Sequence, residues 1–374
     1  MPRRLHEFIG ARLRVARLFR GMKQSHLADA VEVTRQYIYK IERGDAQPRF
    51  DLVEAMAEEV AFPVPFFGTP PAIDVREEDC NFRKRVTTPV GVRSQAVAHL
   101  MLLAEGVALL EKQVALPRLR IPEIAVDSPE GIERAAEQCR SEWGLRHDAP
   151  IQSMVRVVEH AGAVVAELAG STDKIDAFSW PGRRPVVVRS TFKKSTTRAR
   201  MDFAHELGHL VMHAGLDDTD DPQLEVEANR FGSAFLLPRA GFMREFPRTS
   251  RISWPDVFAM KRRWRVAVSA IVRRAFDLHL IDAREYRRAN VFISKQGWRR
   301  GEPEEPRDRE EPEVIRLAMD HLMDKGVPPW ELAKQLHWSP DTFEEVMGVA
   351  PLAPAAPVYH LRIPRKGDST PDAR

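Results

Sequence analysis

The stretch His205-Glu206-Leu207-Gly208-His209 decides how this chain reads. On a helix, residues four apart share a face, so both imidazoles can reach one metal ion. Glu206 lies beside them and can accept a proton from a water at that metal. Zinc brings the pKa of such a water down to roughly 7, which makes it a usable nucleophile. The segment therefore reads as a site for metal-assisted peptide hydrolysis. Five-residue patterns also recur by chance, so the flanks carry weight.

Thr196 to His213 places Met201, Phe203, Ala204, Leu207, Leu210 and Val211 at helical spacing, which predicts an amphipathic helix. Zinc needs a third protein ligand and one open position. Downstream, Glu225-Val226-Glu227-Ala228-Asn229-Arg230-Phe231 runs into Leu236-Leu237-Pro238 and reads as a second helix, stopped near the proline. A carboxylate on that helix is the expected third ligand. Glu227 is the first choice, and Glu225 the reserve. His213 lies four residues beyond His209. The three-histidine zinc pattern would need glycine at 212 and histidine at 215, where this chain has Met212 and Gly215. His213 then reads as a helix-end residue, favoured near the negative end of the dipole.

These residues resemble the ImmA/IrrE metallopeptidases, whose pattern is an AHELGH helix followed by an EAN-x-F helix ending in LLP. The resemblance implies a zincin-like domain in which His205, His209 and Glu227 hold zinc and Glu206 is the general base. Manganese or another divalent ion suits the same donors. It further implies limited proteolysis of a repressor or antitoxin. Asp176 to Ser179 and Arg184 to Val188 look like the short strands that precede the metal helix. An edge strand there would bind a peptide by strand addition.

A second signal lies at the amino terminus. Ile9, Leu13, Ala16, Leu18, Leu27, Ala28, Val31, Ile38 and Ile41 keep helical spacing. Gln24 opens one short helix. Thr34 caps the next, which ends at Gly44. Two short helices with a tight connection read as helix-turn-helix, whose second helix enters the major groove by its first residues. Arg35 suits guanine and Gln36 suits adenine. Thr34 and Tyr37 lie at that end of the helix, Lys40 is one turn on and can reach a base or a phosphate, and Gln24 is placed for a phosphate. Residues 1–44 hold ten Lys/Arg against four Asp/Glu, whereas the whole chain, with 57 against 54, is nearly balanced. The positive charge is therefore placed where phosphates would lie. A small helical interaction bundle needs no DNA and is the alternative.

Gly10 to Leu13, Gln24, Leu27-Ala28 and Ile38 to Gly44 also resemble the Xre/Cro-type repressor domain. Glu32 departs from it, standing where that family has a turn glycine. Glycine tolerates positive φ there and glutamate does so poorly.

The expected fold class is mainly α with a small β-sheet (α+β). Residues 1–70 are a five-helix Xre-type domain and 71–298 the metallopeptidase-like domain. Residues 299–313 are a charged linker, 314–350 a helical hairpin and 351–374 a disordered tail. A long apolar helix is expected over about Arg93 to Val114, and two more over Ser253 to Leu280. Cys80 and Cys139 make no disulfide framework, Met1-Pro2-Arg3-Arg4 is not followed by the apolar run of a signal peptide, and Ala96 to Leu110 is broken by His99 and Glu105 as a membrane span. Those features predict a cytoplasmic protein with no membrane partner. The expected partners are an operator in double-stranded DNA and a protein substrate, with a homodimer compatible with the helix-turn-helix. The competing reading is a transcription factor or antitoxin whose peptidase-like domain only senses or binds.

Overall fold

A computed structural model describes residues 7–73, 75–76, 80–82, 89–168, 176–190, 195–216, 221–249 and 251–351. Within them the chain is mainly helical with one small sheet. The first unit comprises α1 (Gly10–Phe19), α2 (Gln24–Ala30), α3 (Arg35–Arg43) and α4 (Phe50–Glu59), closed by a 3-10 turn at Val64–Gly68. That turn stands where a fifth α-helix was expected. Thr34 caps α3 by accepting from the Tyr37 amide, and Gly44 ends it in the left-handed conformation. Glu32 sits at φ 54°, so the residue that replaces the expected glycine does adopt the strained backbone.

Then come β1 (Asn81–Phe82), α5 (Val90–Glu111), α6 (Pro129–Glu142) and α7 (Met154–His160). Strands β2 (Val164–Leu168), β3 (Ala177–Trp180) and β4 (Val186–Ser190) follow, then α8 (Thr196–Met212) and α9 (Pro222–Leu236). The remaining helices are α10 (Arg239–Glu245), α11 (Trp254–Trp264), α12 (Val268–Asp277), α13 (Ala283–Lys295), α14 (Val314–Asp324), α15 (Pro329–Leu336) and α16 (Pro340–Met347). The strand order is β1-β3-β4-β2, with β2 and β4 parallel and the other pairs antiparallel.

Strand alternation splits the interior in two. Val164, Ala166, Phe178, Val186 and Val188 face one core, while Val165 and Val187 face the other. The first core joins the α1–α4 unit, α5 and α14–α16. The second joins α6 to α13 and contains the metal-motif helix α8. Cys80 and Cys139 are buried in different cores.

α5 is the spine of the first core. At 22 residues it has the length and apolarity of a membrane span, contrary to the sequence expectation, but 67% of its most apolar window is buried. Its Glu105 accepts from Arg12 of α1 at 2.8 Å, both side chains being 4% exposed. Arg12 also donates to the carbonyls of Thr69 and Pro70. The amino-terminal unit is thus bonded into the body of the protein.

The segment expected to be a linker is pinned. Glu305 accepts from the Thr197 amide at 2.8 Å and from Lys261 at 3.2 Å. Glu310 accepts from the Met154 and Val155 amides and pairs with the buried Arg200. These acids sit at the amino termini of α8 and α7, where unpaired amides and the helix dipole favour negative charge. The expected hairpin after it is three helices. Arg20, which follows α1, holds α16 through Thr342 and Glu345, at 2.8 Å each. The tail from residue 352 lies outside the described residues.

Candidate metal centre and nucleic-acid interface

Close helix packing builds the metal site. Ser195 caps α8 by accepting from the Arg198 amide. Gly208 of α8 faces Ala228 and Phe231 of α9, and Gly232 of α9 faces the backbone of Ala204 and His205. Side chains at these two glycines would hold the helices apart. Their contact brings the first turn of α9 over the histidines.

His205, Glu206 and His209 are buried, with 0%, 0% and 3% exposure. The two Nε2 atoms lie 3.1 Å apart. Glu225 completes the group, its Oε1 lying 3.3 Å from His209 Nε2 and its Oε2 3.6 Å from His205 Nε2. All three donor atoms fall within 4.8 Å of one another. Tetrahedral zinc with bonds near 2.0–2.2 Å separates its ligand atoms by about 3.3 Å. Two neutral imidazoles and one carboxylate at these spacings fit such an ion. With no ion bound, burial pushes the Glu225 carboxyl up, but hydrogen bonds from His205 and His209, and their charge when protonated, outweigh this and hold it well below the usual carboxylate range.

The expected ligand Glu227 is not in that group. A step of two residues turns a helix by about 200°, so the two carboxylates leave α9 in different directions. Glu227 goes to His213, with Oε2 3.1 Å from Nε2. His213 caps the carboxyl end of α8 and is also 2.9 Å, Nδ1 to Nδ1, from His209. Burial, then the neighbouring His209, keeps His213 below the usual imidazole range. The pairing Glu225-Ala228-Gly232, at steps of three and four, was the sequence signal for the inward face of α9, and it was missed.

An open cleft of about 850 Å³ reaches Glu225. Its walls include Asp176, Arg198, Asp202, Asn229 and Arg230. β3 runs along α8, yet its outer side is paired with β1, Asn81 opposite Ser179 and Phe82 opposite Phe178. The expected edge strand is therefore covered over those two residues by the chain itself.

In the amino-terminal unit, Thr34, Arg35, Gln36 and Lys40 are exposed at the start and outer face of α3. Tyr37 is half-buried and packs on the core. Gln24 uses its amide on Glu42 at 2.7 Å, and Glu42 also accepts from Arg17 at 2.5 and 2.9 Å. This buried network locks α1, α2 and α3 together and leaves Arg17, Lys23, Gln24, Ser25 and Arg35 around one hollow. Tyr39 and Arg43, on the same exposed helix and paired at 3.0 Å, were not singled out by sequence.

None of the curated proteins compared matches the chain. Family models do match two segments. The mainly helical fold with a small sheet agrees with them. Residues 9–64 match a helix-turn-helix domain and residues 158–276 match the IrrE N-terminal-like domain of the peptidase M78 family, so the chain fuses a helix-turn-helix unit to a metallopeptidase-like one.

Proposed function

We propose that this protein is a DNA-binding regulator that is also a metal-dependent endopeptidase, acting by limited cleavage of a protein such as a repressor or antitoxin. The observation that carries the reading is the buried cluster of His205, His209 and Glu225, with Glu206 on the same helix, in a segment that matches a peptidase family.

His205, His209 and Glu225 would hold the ion. When bound, zinc supplies a Lewis acid that polarises a carbonyl and makes water a nucleophile near neutral pH. Glu206 takes the proton of the attacking water on its carboxylate and returns it to the departing amine. Glu206 is buried on the same helix as the two histidines, within the closed side of the site. The cleft beside Glu225 receives the peptide and keeps it against α8.

On the DNA side, Arg35, Gln36 and Lys40 read or touch the duplex, while Thr34 and Tyr37 hold the start of α3 in place. Gln24, tied to Glu42, presents the α2 terminus to a phosphate. Two copies binding a two-fold operator is the arrangement such domains favour. A cytoplasmic setting follows from operator binding.

The test compares host cells carrying the wild-type chain with cells carrying Glu206→Gln, mapping new protein amino termini. One protein shortened only by the wild type supports the reading and names the substrate. Identical termini, with both proteins carrying metal, would contradict it and favour a DNA-binding sensor.

A further inference from the structure

Outside the three donors, one chain of polar contacts leads from the buried metal position toward the surface. It begins at His209, passes to His213 at 2.9 Å, and reaches Glu227 at 3.1 Å. The second oxygen of Glu227 accepts from Gln223 Nε2 at 3.1 Å. His213 is 3% exposed, and the Glu227 side chain 19%.

With an ion bound between His205, His209 and Glu225, one proton order satisfies every link. His209 turns Nε2 toward His205 and Glu225. A ligand nitrogen carries no proton, so the proton of His209 lies on Nδ1. Nδ1 then donates to His213 Nδ1. His213 must in turn carry its proton on Nε2, and that proton points at the Glu227 carboxylate. The opposite tautomer would set two donors or two acceptors face to face at His209–His213. Histidines that bind metals generally give their outer N–H to an acceptor that fixes ring and tautomer. Here the acceptor is a second imidazole, itself oriented by a carboxylate one helix away.

We propose that His213 and Glu227 are positioning residues that act through His209, fixing its tautomer and ring orientation and so setting the metal affinity of the site. The inference rests on the metal-centre reading above. It gives Glu227 a role distinct from that of Glu225, although both leave the same turn of α9. Glu225 would be a ligand, and Glu227 would order the proton of a ligand. Gln223, at the end of the chain, holds Glu227 in place.

The experiment measures zinc affinity by chelator competition in the full-length wild type, His213→Leu, Glu227→Leu and the double variant, with the helical signal and melting temperature recorded for each. Glu227 is near the surface, so Glu227→Leu tests the relay even if His213→Leu folds poorly. The expected result is binding about 10–100-fold weaker in each single variant, the range typical of lost outer contacts. The double variant should be no weaker than His213→Leu, because Glu227 acts only through His213. Nitrogen-15 histidine spectra of the zinc-loaded wild type should show the His213 proton on Nε2, and Glu227→Leu should shift that signal. Unchanged zinc affinity in Glu227→Leu, losses that add in the double variant, or a His213 proton on Nδ1 would each overturn the relay. A wild type that takes up no zinc would remove the metal reading itself, and the relay with it.

Discussion

Glu225 and His209 stand on different helices and meet at 3.3 Å, carboxylate oxygen to Nε2. The contact exists because α8 and α9 touch through Gly208 and Gly232. Placement of these candidate ligands is thus a property of helix packing, and mutations in the packing should reach the proposed metal position.

Gly232→Ala tests that link. The added methyl carbon would sit 3.1 Å from the His205 amide nitrogen and 3.2 Å from the Ala204 carbonyl carbon. Backbone cannot swing aside as a side chain can. Alanine should gain up to ~1 kcal/mol of helix propensity, yet overpacking costs about 1–3 kcal/mol. The expected outcome is a lower melting temperature and weaker zinc binding. A raised melting temperature with unchanged zinc affinity would contradict the packing argument.

Glu206→Gln removes a base while keeping the shape of the side chain. Metal content and melting temperature should stay near those of the wild type. Cleavage of the identified substrate should fall by about 10²–10⁴-fold or more, the usual contribution of a positioned acid–base group. Retained cleavage at the wild-type rate would move the base elsewhere.

His99 makes the joint between α1 and α5 sensitive to acid. It is 2% exposed and stacks on Phe19 at 5.7 Å. Burial lowers its pKa from 6.5 to about 4. The folded protein therefore resists protonation that the unfolded chain accepts. Its contribution is complete above pH 6.5 and is lost as pH falls through 4, roughly 3 kcal/mol in all. Denaturant melts of wild type and His99→Leu between pH 4 and 7.5 should show a steeper decline for the wild type. Parallel declines would show that His99 does not titrate across folding.

Arg35→Ala should weaken binding to a selected operator by ~1–3 kcal/mol and relax base preference at one position. Lys40→Ala should weaken binding more evenly across sequences and flatten the salt dependence. Both are read by shift assays at several salt concentrations, using the full chain because Arg12 and Glu105 bond the amino-terminal unit into the body. Unchanged affinity for both variants would take α3 off the DNA.

Local signals were legible in the sequence. The histidine pair, the capped α3 and the mixed helix-and-sheet class all rest on short-range spacing, which a single chain displays. α5, expected over about Arg93 to Val114, runs from Val90 to Glu111, and the expected pair of helices within Ser253 to Leu280 forms as α11 and α12. What was missed depends on contacts far apart in the chain. Glu225 and Glu227 are chemically alike, and only the phase of α9 against α8 separates them. The acids at 302, 305, 310 and 313 read as linker because their partners, such as Lys261, Arg200 and the amides of α7 and α8, lie 41 to 157 residues away. The short strand at 81–82 carries no pattern of its own, so the cover over β3 was invisible.

The central claim is that His205, His209 and Glu225 form one metal centre. The most direct measurement is zinc bound per chain, by elemental analysis after dialysis against a weak chelator, in wild type, Glu225→Ala and Glu227→Ala. The account predicts about one zinc in the wild type, loss of zinc in Glu225→Ala, and partial retention in Glu227→Ala. Full zinc in Glu225→Ala, with loss confined to Glu227→Ala, would contradict it.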